Sequence, residues 1–183
     1  MLMNYAITEG RPFFLLLAIL LLQSACRPVV QEMPEAEKDP ASEEFVQVNR
    51  YMFQRHQDHI SAFLDRVGWP AEATPSGLWI YEEEAGSGRQ IREGDQVTYA
   101  FESMLLDGTA CYQASRHNPK IIQVGKGGVE SGVEEGLQQL SEGSRAVLLI
   151  PPHLGHGNFG DRDRIPGNSV LIYRIHVLRV DPG

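Results

Sequence analysis

The hydrophobic period changes near Pro75, and this change limits what the chain can fold into more than any other feature. Upstream, Phe45, Val48, Met52, Ile60, Phe63, Leu64 and Val67 recur at the spacing of one helix face. Ser42 stands as an N-cap and Gly68-Trp69-Pro70 as a stop, which predicts a helix over roughly Glu43 to Val67. Its apolar stripe needs a partner, either the following domain or a second copy of the same helix. Downstream the period is 2. Leu78-Trp79-Ile80-Tyr81 reads as a short strand, and Gly86-Ser87-Gly88 turns the chain. Val97, Tyr99, Phe101 and Leu105 alternate along a long strand that stops at Asp107-Gly108, a hairpin-type turn. Ile121 to Val124, Ala146 to Ile150 and Leu171 to Val177 supply further strands. Gly132 to Leu140 is the one helical piece, with Val133, Leu137 and Leu140 on one face. One short helix laid across about five antiparallel strands is an α+β class with a single core.

Length and charge narrow the function. The chain has 183 residues, enough for one ordinary domain with extensions. Its net charge of −8 argues against a nucleic-acid partner, because phosphate recognition needs a basic footprint. Two cysteines make neither a disulfide framework nor a four-ligand zinc site. His56 with His59, and His153 with His156, lack a third ligand nearby, so no metal is expected. Gly125-Lys126-Gly127-Gly128 has no phosphate-loop frame and reads as a turn. No nucleophile-elbow pattern accompanies the serines, and Cys111 reads as a packed thiol.

The N-terminus reads as targeting. Phe13 to Leu22 is ten apolar residues without a charge, half of what a membrane span of about 20 needs. It fits the apolar region of a secretory signal, with Arg11 and the α-amino group outweighing Glu9. Leu22-Gln23-Ser24-Ala25-Cys26 resembles the lipobox of bacterial lipoproteins, although Gln23 stands where an aliphatic residue is usual. The resemblance implies that Cys26 is acylated. The alternative is ordinary cleavage nearby, with Cys26 a free thiol. Arg27 follows in place of the aspartate that retains many lipoproteins in the inner membrane, which implies an outer-membrane anchor facing the periplasm. Arg27 to Glu44 carries six acidic residues against two basic ones, with three prolines, and reads as a tether. The expected organisation is a signal over 1–25, a lipidated cysteine and tether over 26–44, a helix and linker over 45–74, and a folded domain over 75–183.

The domain carries a recognisable order of short motifs. Gly94-Asp95-x-Val97-x-Tyr99-x-Phe101 is followed by Asp107-Gly108-Thr109, Val124-Gly125 and Gly132-Val133-Glu134-Glu135-Gly136-Leu137. Gly143-x-Arg145-Ala146, Ile150-Pro151, Ile165-Pro166 and Leu171-Ile172-Tyr173 complete it. Together they resemble the FKBP-type peptidyl-prolyl isomerases over about Ser76 to Val180. The signal, the Trp79-Ile80-Tyr81 strand and the Phe159 to Ile165 run look like the gliding-motility-associated FKBP-type lipoproteins. The fold so implied is an FKBP-like sheet wrapped on one helix. The implied partners are proline-containing polypeptides, and no cofactor is implied.

The resemblance also places a pocket. Phe101, Tyr112, His156 and Tyr173 fall on its catalytic positions, and Cys111, Val129, Glu130, Val133 and Ile165 on its substrate-binding walls. Phe101 and Tyr173 keep an aromatic ring, and Val129 and Ile165 keep aliphatic walls. Glu130 stands where the family's isoleucine offers its backbone N–H to a ligand. His156 replaces a tyrosine whose hydroxyl bonds a substrate carbonyl. Val133 replaces the tryptophan that floors the pocket, and Cys111 and Tyr112 replace a Phe-Asp pair. These departures imply a weak isomerase assisting exported proteins. The competing expectations are a non-catalytic chaperone or assembly subunit with the same groove, and a scaffold dimerised through the helix.

Overall fold

The computed structural model describes residues 40–183 and gives side chains from 43 onward. The signal, Cys26 and most of the tether lie outside the described residues. Residues 44–183 form one compact unit.

Helix α1 runs Pro40–Val67. It begins before Ser42, so Ser42 lies inside it and is not its N-cap; proline is favoured in the first helical turn because its missing N–H is an orphan there. Gly68 ends the helix with φ 73, its N–H bonded to Leu64 O at 2.8 Å. The chain continues as β1 Glu72–Ala73, β2 Trp79–Glu84, β3 Gln96–Leu105, β4 Ala110–Ala114 and β5 Lys120–Gln123. Helix α2 Ser131–Gln138, β6 Arg145–Ile150, a 3₁₀ turn Pro152–Leu154 and β7 Leu171–Asp181 follow. All pairs are antiparallel, in the order β1-β2-β6-β7-β3-β4. β5 pairs with the first half of β3, Gln96 to Tyr99, and β4 with its second half. The sheet therefore has seven strands, two more than the alternation predicts. β1 is only two residues, and β4 (Ala-Cys-Tyr-Gln-Ala) has no regular apolar alternation to announce it.

The sheet is covered on both faces. Val97, Leu148, Ile150, Tyr173, Ile175 and Val177 face α2 and pack with its Val133 and Leu137. Val147, Leu149 and Ile172 face the other way, onto Ile60 and Leu64 of α1. Phe63, Trp69, Trp79, Tyr81 and Met104 close this second cluster, with Trp69 stacked on Tyr81 at 5.9 Å. The C-terminal half of α1 thus takes the following sheet as its partner. Its N-terminal half does not: Phe45, Val46, Val48 and Tyr51 are exposed. Gln57 fixes the docking, donating to Gly77 O at 3.0 Å and accepting the Trp79 indole N–H at 2.6 Å. Among the described residues, no helix is long and apolar enough to cross a membrane.

Candidate functional site

A groove of about 760 Å³ opens between β3, β4, the approach to α2, and the segment after the 3₁₀ turn. Tyr99 and Phe101 come from the inward face of β3 at i, i+2 spacing. Phe101 stacks on Tyr173 of β7, ring centroids 5.3 Å apart, and lies 5.8 Å from Tyr99. Phe101 pairs with Ile175 across the ladder, so this stack is the diagonal contact long side chains make across neighbouring strands. Val129 adds an aliphatic side chain to the lining.

Polar groups occupy the rest of the lining. Glu130, immediately before α2, turns its carboxylate to the groove: Oε1 accepts the Tyr173 hydroxyl at 2.5 Å and meets His156 Nε2 at 2.8 Å. Burial and the Glu130 charge raise the Tyr173 phenol, and the same two causes raise Tyr99. At the other end, Tyr112 donates its hydroxyl to Asp161 and, at 3.3 Å, to Asp163. The bond to Asp161 is the largest cause pushing the Tyr112 phenol up to about 12. Burial opposes ionisation of Asp161, but the Tyr112 hydroxyl and the N–H groups of Asp163 and Ile165 hold its carboxyl well below the usual range. Tyr112 is aimed by Ser103, whose Oγ accepts the Tyr112 N–H at 3.1 Å where the β3–β4 register shifts. The Arg164 guanidinium covers the Tyr112 ring at 5.2 Å and donates to Cys111 O.

Of the nine positions singled out in sequence, Phe101, Tyr112, Val129, Glu130, His156 and Tyr173 line the groove. Cys111, Val133 and Ile165 are not in its lining and belong to the core behind the walls. Valine on the first turn of α2 is too short to reach the groove, so Val133 closes into the core. Cys111 points inward from β4, and burial raises its thiol, which argues against a nucleophile. His156 lines the groove with its Nε2 engaged by Glu130 at 2.8 Å. Tyr99, Lys120 and Asp161 line the groove without having been singled out. The position of Tyr99 on the inward face of the long strand was a usable signal; Asp161 needed the loop conformation.

The glycine turn is likewise explained. Gly125 and Gly127 donate their N–H groups to Glu134 Oε1 at 3.0 and 3.1 Å, so this loop binds its own carboxylate. Among the described residues, no group of three or more His, Cys, Asp or Glu is placed to hold a metal.

Comparison with known proteins agrees with this geometry. Residues 87–178 match the model of the family described as FKBP-type peptidyl-prolyl cis-trans isomerase. Human peptidyl-prolyl cis-trans isomerase FKBP10 is 37% identical over 102 residues, 55% of this chain and 18% of that protein. FK506-binding protein 2B of Rhizopus delemar is 32% identical over 97 residues, 52% of this chain and 46% of its own length. The crystal structure of AtFKBP13 superposes with TM-score 0.56 at 25% identity, covering 60% of this chain and 97% of the other. A peptidyl-prolyl cis-trans isomerase from Pseudomonas syringae pv. tomato shares the fold, with TM-score 0.61 at 20% identity over 72% of this chain and 95% of the other. This chain spans less than a fifth of the length of the human relative. The aromatic groove, the wrapped sheet and a family match over half the chain lead to one assignment: the chain belongs to the FKBP-type peptidyl-prolyl cis-trans isomerases.

Proposed function

We propose that this chain is a peptidyl-prolyl cis-trans isomerase of the bacterial cell envelope, anchored through a lipid on Cys26 and assisting the folding of exported proteins. The stacked Phe101–Tyr173 pair, extended by Tyr99 and joined in the lining by Val129, carries the reading. Uncatalysed exchange at an X–Pro bond takes tens to hundreds of seconds, slow enough to limit folding. The barrier comes from amide resonance, which is lost as the bond twists. A twisted amide is less polar than a planar one, so a dry aromatic groove binds it better than it binds the ground state. Tyr99, Phe101 and Tyr173 hold the proline ring, and the Glu130 N–H, which donates to no described residue, is open to a substrate carbonyl. No proton transfer or covalent bond is required of the chain.

A second reading, a non-catalytic groove that only binds proline-containing segments, is favoured by two features. Val133 leaves the groove without an aromatic floor, and His156 already engages Glu130. A protease-coupled isomerisation assay on the purified chain decides between them. The expected result is a rate above the uncatalysed one, and lower than a family member with the full aromatic floor gives. An uncatalysed rate with persistent binding of an unfolded proline-rich client overturns the isomerase reading.

A further inference from the structure

One group in the groove is not what amide rotation calls for. Desolvating a carboxylate is costly, and apolar walls are what a proline ring needs. Glu130 nevertheless occupies the N-cap position of α2, with φ −60 and ψ 142, and makes no side-chain cap bond. The shorter Asp, Asn, Ser and Thr side chains are the ones that fold back onto the free N–H groups of the first turn, and the longer glutamate is not among them. Here the carboxylate is turned away from the helix into the groove, where its side chain is 14% exposed. Oε1 receives both of its partners, Tyr173 and His156. Oε2 has no hydrogen-bond partner among the described residues. The same groove is lined by the rings of Tyr99, Phe101 and Tyr173, and Asp161 adds a second carboxylate to the lining. Lys120, also in the lining, makes no ion pair with either among the described residues.

We infer that Glu130 sets substrate choice in this groove: its open Oε2 takes the cationic side chain of a lysine or arginine adjoining the substrate proline. The inference rests on the isomerase reading and deepens it by naming the substrate class. An ammonium or guanidinium supplies the donor that Oε2 lacks, and a charge-assisted bond in a partly desolvated groove is about twice as strong as a neutral one. A leucine in that position leaves the carboxylate desolvated without a donor, and a glutamate adds repulsion.

Equilibrium binding of the tetrapeptides Ala-Lys-Pro-Phe, Ala-Leu-Pro-Phe and Ala-Glu-Pro-Phe to the purified chain tests this, with isomerisation rates measured alongside. The Lys-Pro peptide is expected to bind about tenfold more tightly than the Leu-Pro peptide, a difference of about 1.4 kcal/mol, and the Glu-Pro peptide most weakly. Glu130→Gln, which keeps shape and removes charge, should shrink the Lys-Pro advantage to less than about twofold. Equal affinity for the three peptides overturns the inference, as does a Lys-Pro advantage that survives Glu130→Gln. The peptide series is read on the unaltered chain, so it does not depend on how the variant folds. Lys-Pro preference without any rate enhancement overturns the isomerase reading alone. Rate enhancement with no order among the peptides overturns the Glu130 inference alone, and no binding of any peptide overturns both.

Discussion

At the scale of the residue, side-chain length and direction decide which positions reach the groove. Val133 and Tyr173 both sit where the resemblance implies pocket contacts, yet Val133 is fully buried and Tyr173 lines the groove. The difference is reach: a phenol extends past the backbone of β7, and an isopropyl group does not clear the first turn of α2. We predict that Val133→Trp will not rebuild a groove floor. It inserts an indole into a packed core beside Leu137 and Leu148 and should cost about 1–3 kcal/mol. Denaturant unfolding checks this; unchanged stability with raised isomerase activity would show that space for the ring exists after all. Glu130 gives the complementary lesson. Its number was legible in the sequence as a pocket position, but the direction of its carboxylate was not. That direction depends on Tyr173 and His156, which lie 43 and 26 residues further along the chain.

At the scale of the element, burial on two sides reshapes the patterns. The run Arg145-Ala-Val-Leu-Leu-Ile reads as alternating only if Val147 and Leu149 are ignored. They are apolar because α1 covers the second face of the sheet, and strands buried on both faces become continuous apolar runs. The docked half of α1 also carries a titratable group. His56 is buried, and burial, His59, His153 and Arg55 hold its imidazole below the ordinary value of 6.5. Phe53 beside it contacts the His153 ring at 5.3 Å, and His153 Nε2 lies 2.8 Å from Ser76 O. Below pH 6.5 the unfolded chain binds a proton that the folded chain resists, so stability falls as pH drops through that value and is unaffected well above it. We predict a decline in thermal midpoint between about pH 7 and pH 5 that is shallower in His56→Leu. His176, lowered by burial, Arg116 and Arg145, adds its own share in both proteins. Parallel curves for the two proteins would remove His56 from the account. β4 was not legible because its residues carry no pattern of their own; pairing with β3 and the Ser103 bond make it a strand.

At the scale of the whole molecule, charge divides unevenly along the chain. Arg27 to Glu44 supplies a net −4, half of the chain's −8, so the acidity that argues against nucleic acid is not a property of the groove. We predict that Cys26→Ala releases the protein from membranes into the soluble fraction. Sedimentation with membranes as in the unaltered protein would refute a lipid on Cys26. The sequence by itself determined the α+β class, the long central strand, the helix on the sheet and the family, because periodicity, turn residues and motif order are local properties. Six of the nine positions that the resemblance implies line the groove. Only the tertiary structure decided that α1 completes the sheet's second face, that Cys111, Val133 and Ile165 lie behind the groove, and that Glu130 stands in it with one oxygen open. Those outcomes depend on which side chains, distant in sequence, compete for the same space and the same hydrogen bonds, and that competition exists only once the chain is folded.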